Sequence, residues 1–113
     1  MINTPDPRLI EIDAAEVAAW MKSGEAVLID VREADEFEEE RIPGATLVPW
    51  SSFDPYSLQV EPGKKLVMHC LGGHRSAKAG RCLIEAGFGP ALHIKDGLFG
   101  WKIAGLPTEA LPA

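Results

Sequence analysis

The stretch LVMHCLGGHRSAKAG, Leu66 to Gly80, runs an apolar segment into a cysteine, Cys70, and then into two glycines, a histidine and an arginine. Those residue types in that order suit a thiol that works as an anion. Gly72 and Gly73 remove the side chains that would obstruct a tight turn, so successive backbone N–H groups can converge on one point, as in a nest that holds an anion. Arg75 opens the helical stretch RSAKAGRCLIEAG, whose unpaired N-terminal N–H groups bring further partial positive charge to the same place. In such a cradle sulfur is favoured as thiolate near neutral pH, and the thiolate is the form that attacks electrophiles. The field that stabilises it would also hold the oxygens of an oxyanion, or the outer sulfur of a persulfide on Cys70. Cys-x4-Arg by itself is a weak pattern, readable as a glycine-rich turn with a solvated arginine. Its place after a buried strand and before a helix makes it a candidate enzyme site.

The other cysteine, Cys82, falls between Ala79 and Ala86 at helical spacing and beside Leu83, and reads as a small buried hydrophobe. With most of a helix between them, the two cysteines should have Cα atoms more than about 7 Å apart, too far for a disulfide. Two cysteines and three scattered histidines, at 69, 74 and 93, match neither a disulfide framework nor a four-ligand zinc site. Two free thiols and no metal are expected.

The elements around the loop alternate in type. RLIEI at 8–12 suits a short edge strand. DAAEVAAWMKSG suits an amphipathic helix, with Asp13 as N-cap, Glu16 in the capping-box position and Gly24 as the stop. AVLIDV, Ala26 to Val31, is apolar apart from Asp30 and fits a strand buried on both faces. EADEFEEER reads as a helix with Phe37 facing inward, ending before the turn IPGA that leads into ATLVPW. The region from Trp50 to Gly63 lacks a clean period and reads as loop, with a short helix between Asp54 and Leu58. KLVMHC is the next strand, RSAKAGRCLIEAGF the next helix and ALHI the last strand. In the closing GLFGWKIAGLP, Trp101, Ile103 and Leu106 are expected to pack a final helical turn on the sheet. The alternation predicts an α/β fold with a central, mostly parallel sheet and helices on both faces. Ligands in such folds gather at the carboxyl ends of strands, where Asp30, Arg32 and Cys70 fall.

At 113 residues, 46% hydrophobic and 25% charged, the chain fits one domain over 1–113. No apolar run approaches the roughly 18 residues of a membrane span, and MINTPDPRL lacks a secretory signal, so a cytoplasmic protein is expected. A formal charge of -6 argues against nucleic acid or an anionic membrane as partner.

Nearly the whole chain resembles the rhodanese-like domain family. LIDVREADEF is similar to the family's Asp-Val-Arg segment and acidic helix, RIPGA to its Ile-Pro-Gly-Ala turn, CLGGHRSAKAG to its active loop, and DGLFGWKIAGLP to its closing segment. The resemblance implies a three-layer fold and a sulfurtransferase that moves sulfur from thiosulfate or another persulfide-type donor to a thiol or cyanide, by a ping-pong cycle through a persulfide on Cys70. It implies that Leu71, Gly72, Gly73, His74 and Arg75 form the anion and persulfide pocket, with no metal or organic cofactor. The loop from Cys70 to Arg75 spans six residues, as in sulfur-transferring members; related phosphatases have one more, which disfavours a phosphatase or arsenate reductase. A sulfur carrier or regulatory module that docks onto a relay protein is the alternative from another class.

This chain departs from the family's common pattern at several positions. Leu71 stands where many members carry arginine, and Gly72 where a hydroxyl residue is frequent. Arg41 replaces the histidine before Ile-Pro-Gly-Ala, and Asp96 the first of two glycines before the final helix.

Asp30 and Arg32 read as a structural pair that holds the active loop, and Ser76 joins them among the supporting residues. Glu36 either joins that network or lies on a solvated helix face. His74 has two readings, an anion or proton donor and a solvent-facing loop residue. His69 should point away from Cys70 by strand alternation and be packed. Trp50, Trp101 and Phe99 read as core or pocket-rim aromatics.

Overall fold

The computed structural model describes residues 6–110. Five strands, β1 (Leu9–Ile12), β2 (Ala26–Asp30), β3 (Thr46–Leu47), β4 (Lys65–His69) and β5 (Ala91–Ile94), form one parallel sheet in the order β1-β5-β4-β2-β3. The helices are α1 (Ala14–Ser23), α2 (Ala34–Glu39), α3 (His74–Glu85) and α4 (Gly97–Ile103). Neighbouring residues of the central strands serve opposite faces, as a period of two requires. Leu28, Val67 and Ile94 meet Val17 of α1 and Trp101 of α4, whereas Ile29, Met68 and Ala91 meet Ala79, Leu83 and Ile84 of α3. The result is three layers, with helices on both faces of the sheet.

β4 lies between β2 and β5, and the chain leaves β2 toward β3 but β4 toward β5. Loops that diverge from adjacent strands open a crevice at their carboxyl ends. Asp30 and His69 are register partners there, so the residues that follow them, including Arg32 and Cys70, emerge side by side.

Several local expectations change. Asp13 is the N-cap of α1 but its side chain makes no capping bond, while Gly24 does end the helix in the left-handed region at φ 79°. The capping box belongs instead to α2, between Glu33 and Glu36. Phe37 is half-buried under the Arg41 guanidinium, 5.0 Å from its ring centroid, and α2 has no fully buried residue. The strand at ATLVPW is reduced to Thr46 and Leu47, and the region after it holds two 3-10 turns, Trp50–Ser52 and Pro55–Ser57, with Asp54 accepting the Tyr56 N–H. Trp101 packs into the core and Leu106 rests partly on it, but Ile103 is 86% exposed. Two residues beyond Trp101 is about 200° around a helix, so Ile103 faces solvent. Cys82 is half-buried rather than buried, and both cysteines are free.

Candidate active site

Cys70 directly follows β4 and is 1% exposed. Its Sγ accepts the Gly73 N–H at 3.1 Å and lies 3.6 Å from the Ser76 Oγ. The turn that aims the amide requires Gly73, whose φ of 110° an L side chain rarely adopts. Gly73 is also the N-cap of α3, so the positive end of that helix points into the loop. From below, the loop backbone is held by α4. The Leu98 N–H donates to the Cys70 carbonyl at 2.8 Å and the Phe99 N–H to the Leu71 carbonyl at 3.2 Å. A Cβ at Gly97 would collide with both carbonyls, so the helix approaches this closely only with glycine there. Asp96 takes the same left-handed backbone at φ 59°, which aspartate tolerates better than most residues.

Asp30 and Arg32 are 0% and 2% exposed. Arg32 Nη2 donates to Asp30 Oδ2 at 2.7 Å and Nε to both carboxylate oxygens. The pair does not touch the loop directly. Arg32 instead donates to the Glu40 carbonyl just past α2, a group that the short helix leaves open, and to the Glu36 carbonyl, which also accepts the Glu40 N–H. α2 in turn carries Glu36, whose carboxylate accepts two bonds from Arg75, at 2.6 and 2.9 Å. Asp30 and Arg32 therefore act on the loop at one remove, Arg32 through α2 and Asp30 also through His69. The Arg75 hydrogen bonds hold the Glu36 carboxyl down at about 2 against an ordinary 4.5, and the same bonds raise the Arg75 guanidinium above its usual value.

Ser76 is fully buried one residue further on; its Oγ lies 2.9 Å from His93 Nδ1 and 3.2 Å from the Gly73 carbonyl. Leu71, Gly72 and His74 are exposed, and His74 borders an open cavity together with Gly72 and Gly73. Phe99, 54% exposed, lies beside Gly72 as a rim residue. His69 is buried on the strand, its Nδ1–H donating to the Cys70 carbonyl at 3.2 Å and its Nε2 3.4 Å from Asp30 Oδ2. Burial lowers its proton affinity more than Asp30 raises it. His93 is the residue that reading the sequence passes over. Its signal was a lone polar side chain inside an apolar strand, at a position sharing the α3 face with Ala91.

Among the described residues no helix is long and apolar enough to cross a membrane, and no cluster of three or more His, Cys, Asp or Glu is arranged to hold a metal.

A model of the rhodanese-like domain matches residues 13–104. An uncharacterized protein of Synechocystis is 42% identical over 82 residues, 73% of this chain and 46% of its own length. The chain thus spans about half of that relative. A sulfurtransferase of Allochromatium vinosum is 29% identical over 101 residues, covering 88% of this chain and 94% of that one. Among solved structures, a thiosulfate sulfurtransferase of Pseudomonas aeruginosa superposes with a TM-score of 0.80 at 30% identity, over 90% of this chain and 20% of that one.

Proposed function

The chain belongs to the rhodanese-like domain family, and from that premise we propose that it is a sulfurtransferase that moves sulfane sulfur through a persulfide on Cys70. The observation that carries this reading is the Cys70 sulfur enclosed by a six-residue loop, with the Gly73 N–H on it at 3.1 Å and the α3 N-terminus beyond. The thiolate attacks the outer sulfur of thiosulfate or a persulfide donor. The donor S–S bond breaks, sulfite or a thiolate leaves with the electron pair, and Cys70 holds the sulfur. An acceptor thiolate or cyanide then attacks the outer sulfur and releases the Cys70 thiolate. Leu71 to Arg75 form the pocket for that outer sulfur and for the donor's anionic end. Arg75 acts mainly on the loop's shape, because Glu36 offsets most of its charge.

A second reading has a specific observation in its favour. With Leu71 in place of arginine and Arg75 paired, no arginine of the loop is left unpaired for a small dianion, and exposed Leu71 and Phe99 give the mouth an apolar rim. Such a rim suits a protein donor or acceptor, with the domain as a sulfur carrier. Intact mass after incubation with thiosulfate tests the chemistry. Gain of one sulfur is expected in the wild type and in Cys82→Ser and not in Cys70→Ser; loading that survives Cys70→Ser sinks the assignment. Addition of cyanide or of different thiols then identifies the acceptor class by discharge.

A further inference from the structure

We propose that His93 is a positioning residue for Cys70, sharing the thiol proton with it through the Ser76 hydroxyl, so that the reactive sulfur is held as a thiolate paired with an imidazolium across that hydroxyl. This rests on the reading of Cys70 as the working nucleophile. The geometry is a buried chain of three polar groups, with Sγ 3.6 Å from Ser76 Oγ and Oγ 2.9 Å from His93 Nδ1. The transfer balances: the Cys70 S–H bond breaks as a proton passes to Ser76 Oγ, and the Ser76 O–H bond breaks as its own proton passes to Nδ1. With Nδ1 protonated, the imidazolium donates back to Oγ and leaves the serine proton free to turn to the thiolate.

The far side of His93 has an outlet. The imidazole lines an open cavity of about 450 Å³ bordered by Glu11, Gly73, Lys78 and Arg81, and Nε2 has no hydrogen-bond partner among the described residues. A proton on Nε2 can pass to solvent through that open cavity. The charges facing the ring come from each element around it. Glu11 is its register partner on β1, Asp6 precedes that strand, His74, Lys78 and Arg81 lie along α3, and Cys70 follows β4, whose Met68 is the ring's other neighbour. Burial chiefly lowers the proton affinity of His93; Glu11 raises it and Arg81 lowers it further.

Coupling of this kind is reciprocal, because each group's ionisation changes the other's. The test uses iodoacetamide, which requires no sulfur donor, so a failure of the sulfurtransferase reading leaves it interpretable. In a Cys82→Ser background, the pH at half-maximal Cys70 alkylation is expected to rise by about one unit in both His93→Phe and His93→Gln, roughly tenfold less thiolate below the midpoint. Gln keeps a polar group of similar reach but cannot be protonated, so recovery by Gln would reduce His93 to a packing and hydrogen-bonding role and overturn the proposal. The second arm leaves His93 in place. Titration of its ring by NMR should move to lower pH in Cys70→Ser by a similar amount, and the coupling should vanish in Ser76→Ala. An unchanged alkylation midpoint, or a ring titration indifferent to Cys70→Ser, refutes the shared proton.

Discussion

The loop around Cys70 is held from two flanks by opposite means. Toward α2 the groups are formally charged, Asp30, Arg32, Glu36 and Arg75, and they are paired in sequence so that little net field is left over. Toward β5 the groups are a hydroxyl and an imidazole, linked to each other and to the sulfur rather than to a formal counter-charge. The difference teaches that charge near a reactive centre need not act on the reactant. On the first flank it fixes the position of a helix and of the loop's last residue. On the second, a hydroxyl and a ring that can carry a proton reach the reactant itself.

The largest effect should come from breaking the charged flank at its buried end. Asp30→Asn leaves Arg32 as an uncompensated charge in a site 3% exposed, and stability should fall by about 3–5 kcal/mol. For a domain of this size that is a drop in Tm on the order of 15 °C or more. A shift under a few degrees would mean that Arg32 finds water or another acceptor.

Next is the outer end of the same flank. Glu36→Gln and Arg75→Leu should each reduce sulfur transfer about tenfold, as a loop freed of its clamp loses orientation. Either should cost only about 1 kcal/mol, since the pair is 28% exposed on both sides. If clamping is what Arg75 supplies, the double variant will be no slower than Arg75→Leu alone; additive losses would assign Arg75 a direct role on the anion. The pair also has a pH signature. Glu36 is depressed to about 2 from 4.5 in the folded state, so its stabilisation is complete above pH 4.5 and is lost as pH falls toward 2. The stability gap between wild type and Glu36→Gln should be constant from pH 5 to 7 and close by about pH 2. A gap that does not change between pH 5 and 2 would show the carboxyl unshifted.

The smallest effect concerns the open mouth. Leu71→Arg adds an exposed cation near an incoming dianion and should raise kcat/KM for thiosulfate severalfold at low salt, a gain that fades with ionic strength. Steady-state kinetics at two salt concentrations decide it, and no gain at low salt would favour a protein partner for the apolar rim.

The layers and the position of Cys70 were legible because they depend on local signals, apolar runs in β2 and β4 and glycines at 72 and 73. The partnerships on the two flanks were not. Glu36 and Arg75 are 39 residues apart, and nothing in the acidic run Arg32 to Arg41 marks which carboxylate will meet an arginine. His93 meets Ser76 because β5 inserts between β1 and β4, a strand order that no run of residues announces. Asp13 and Glu16 had the spacing of a capping box, yet Glu33 and Glu36 form it, since spacing permits that motif without selecting it.

The amides of Leu98 and Phe99 that hold the Cys70 and Leu71 carbonyls belong to α4, which follows the thiol in the chain by about 28 residues. A chain leaving the ribosome amino end first displays its thiol well before the segment that steadies it. During that interval the cysteine is exposed to oxidants without its finished cradle, and sulfur loading is expected only once α4 has docked.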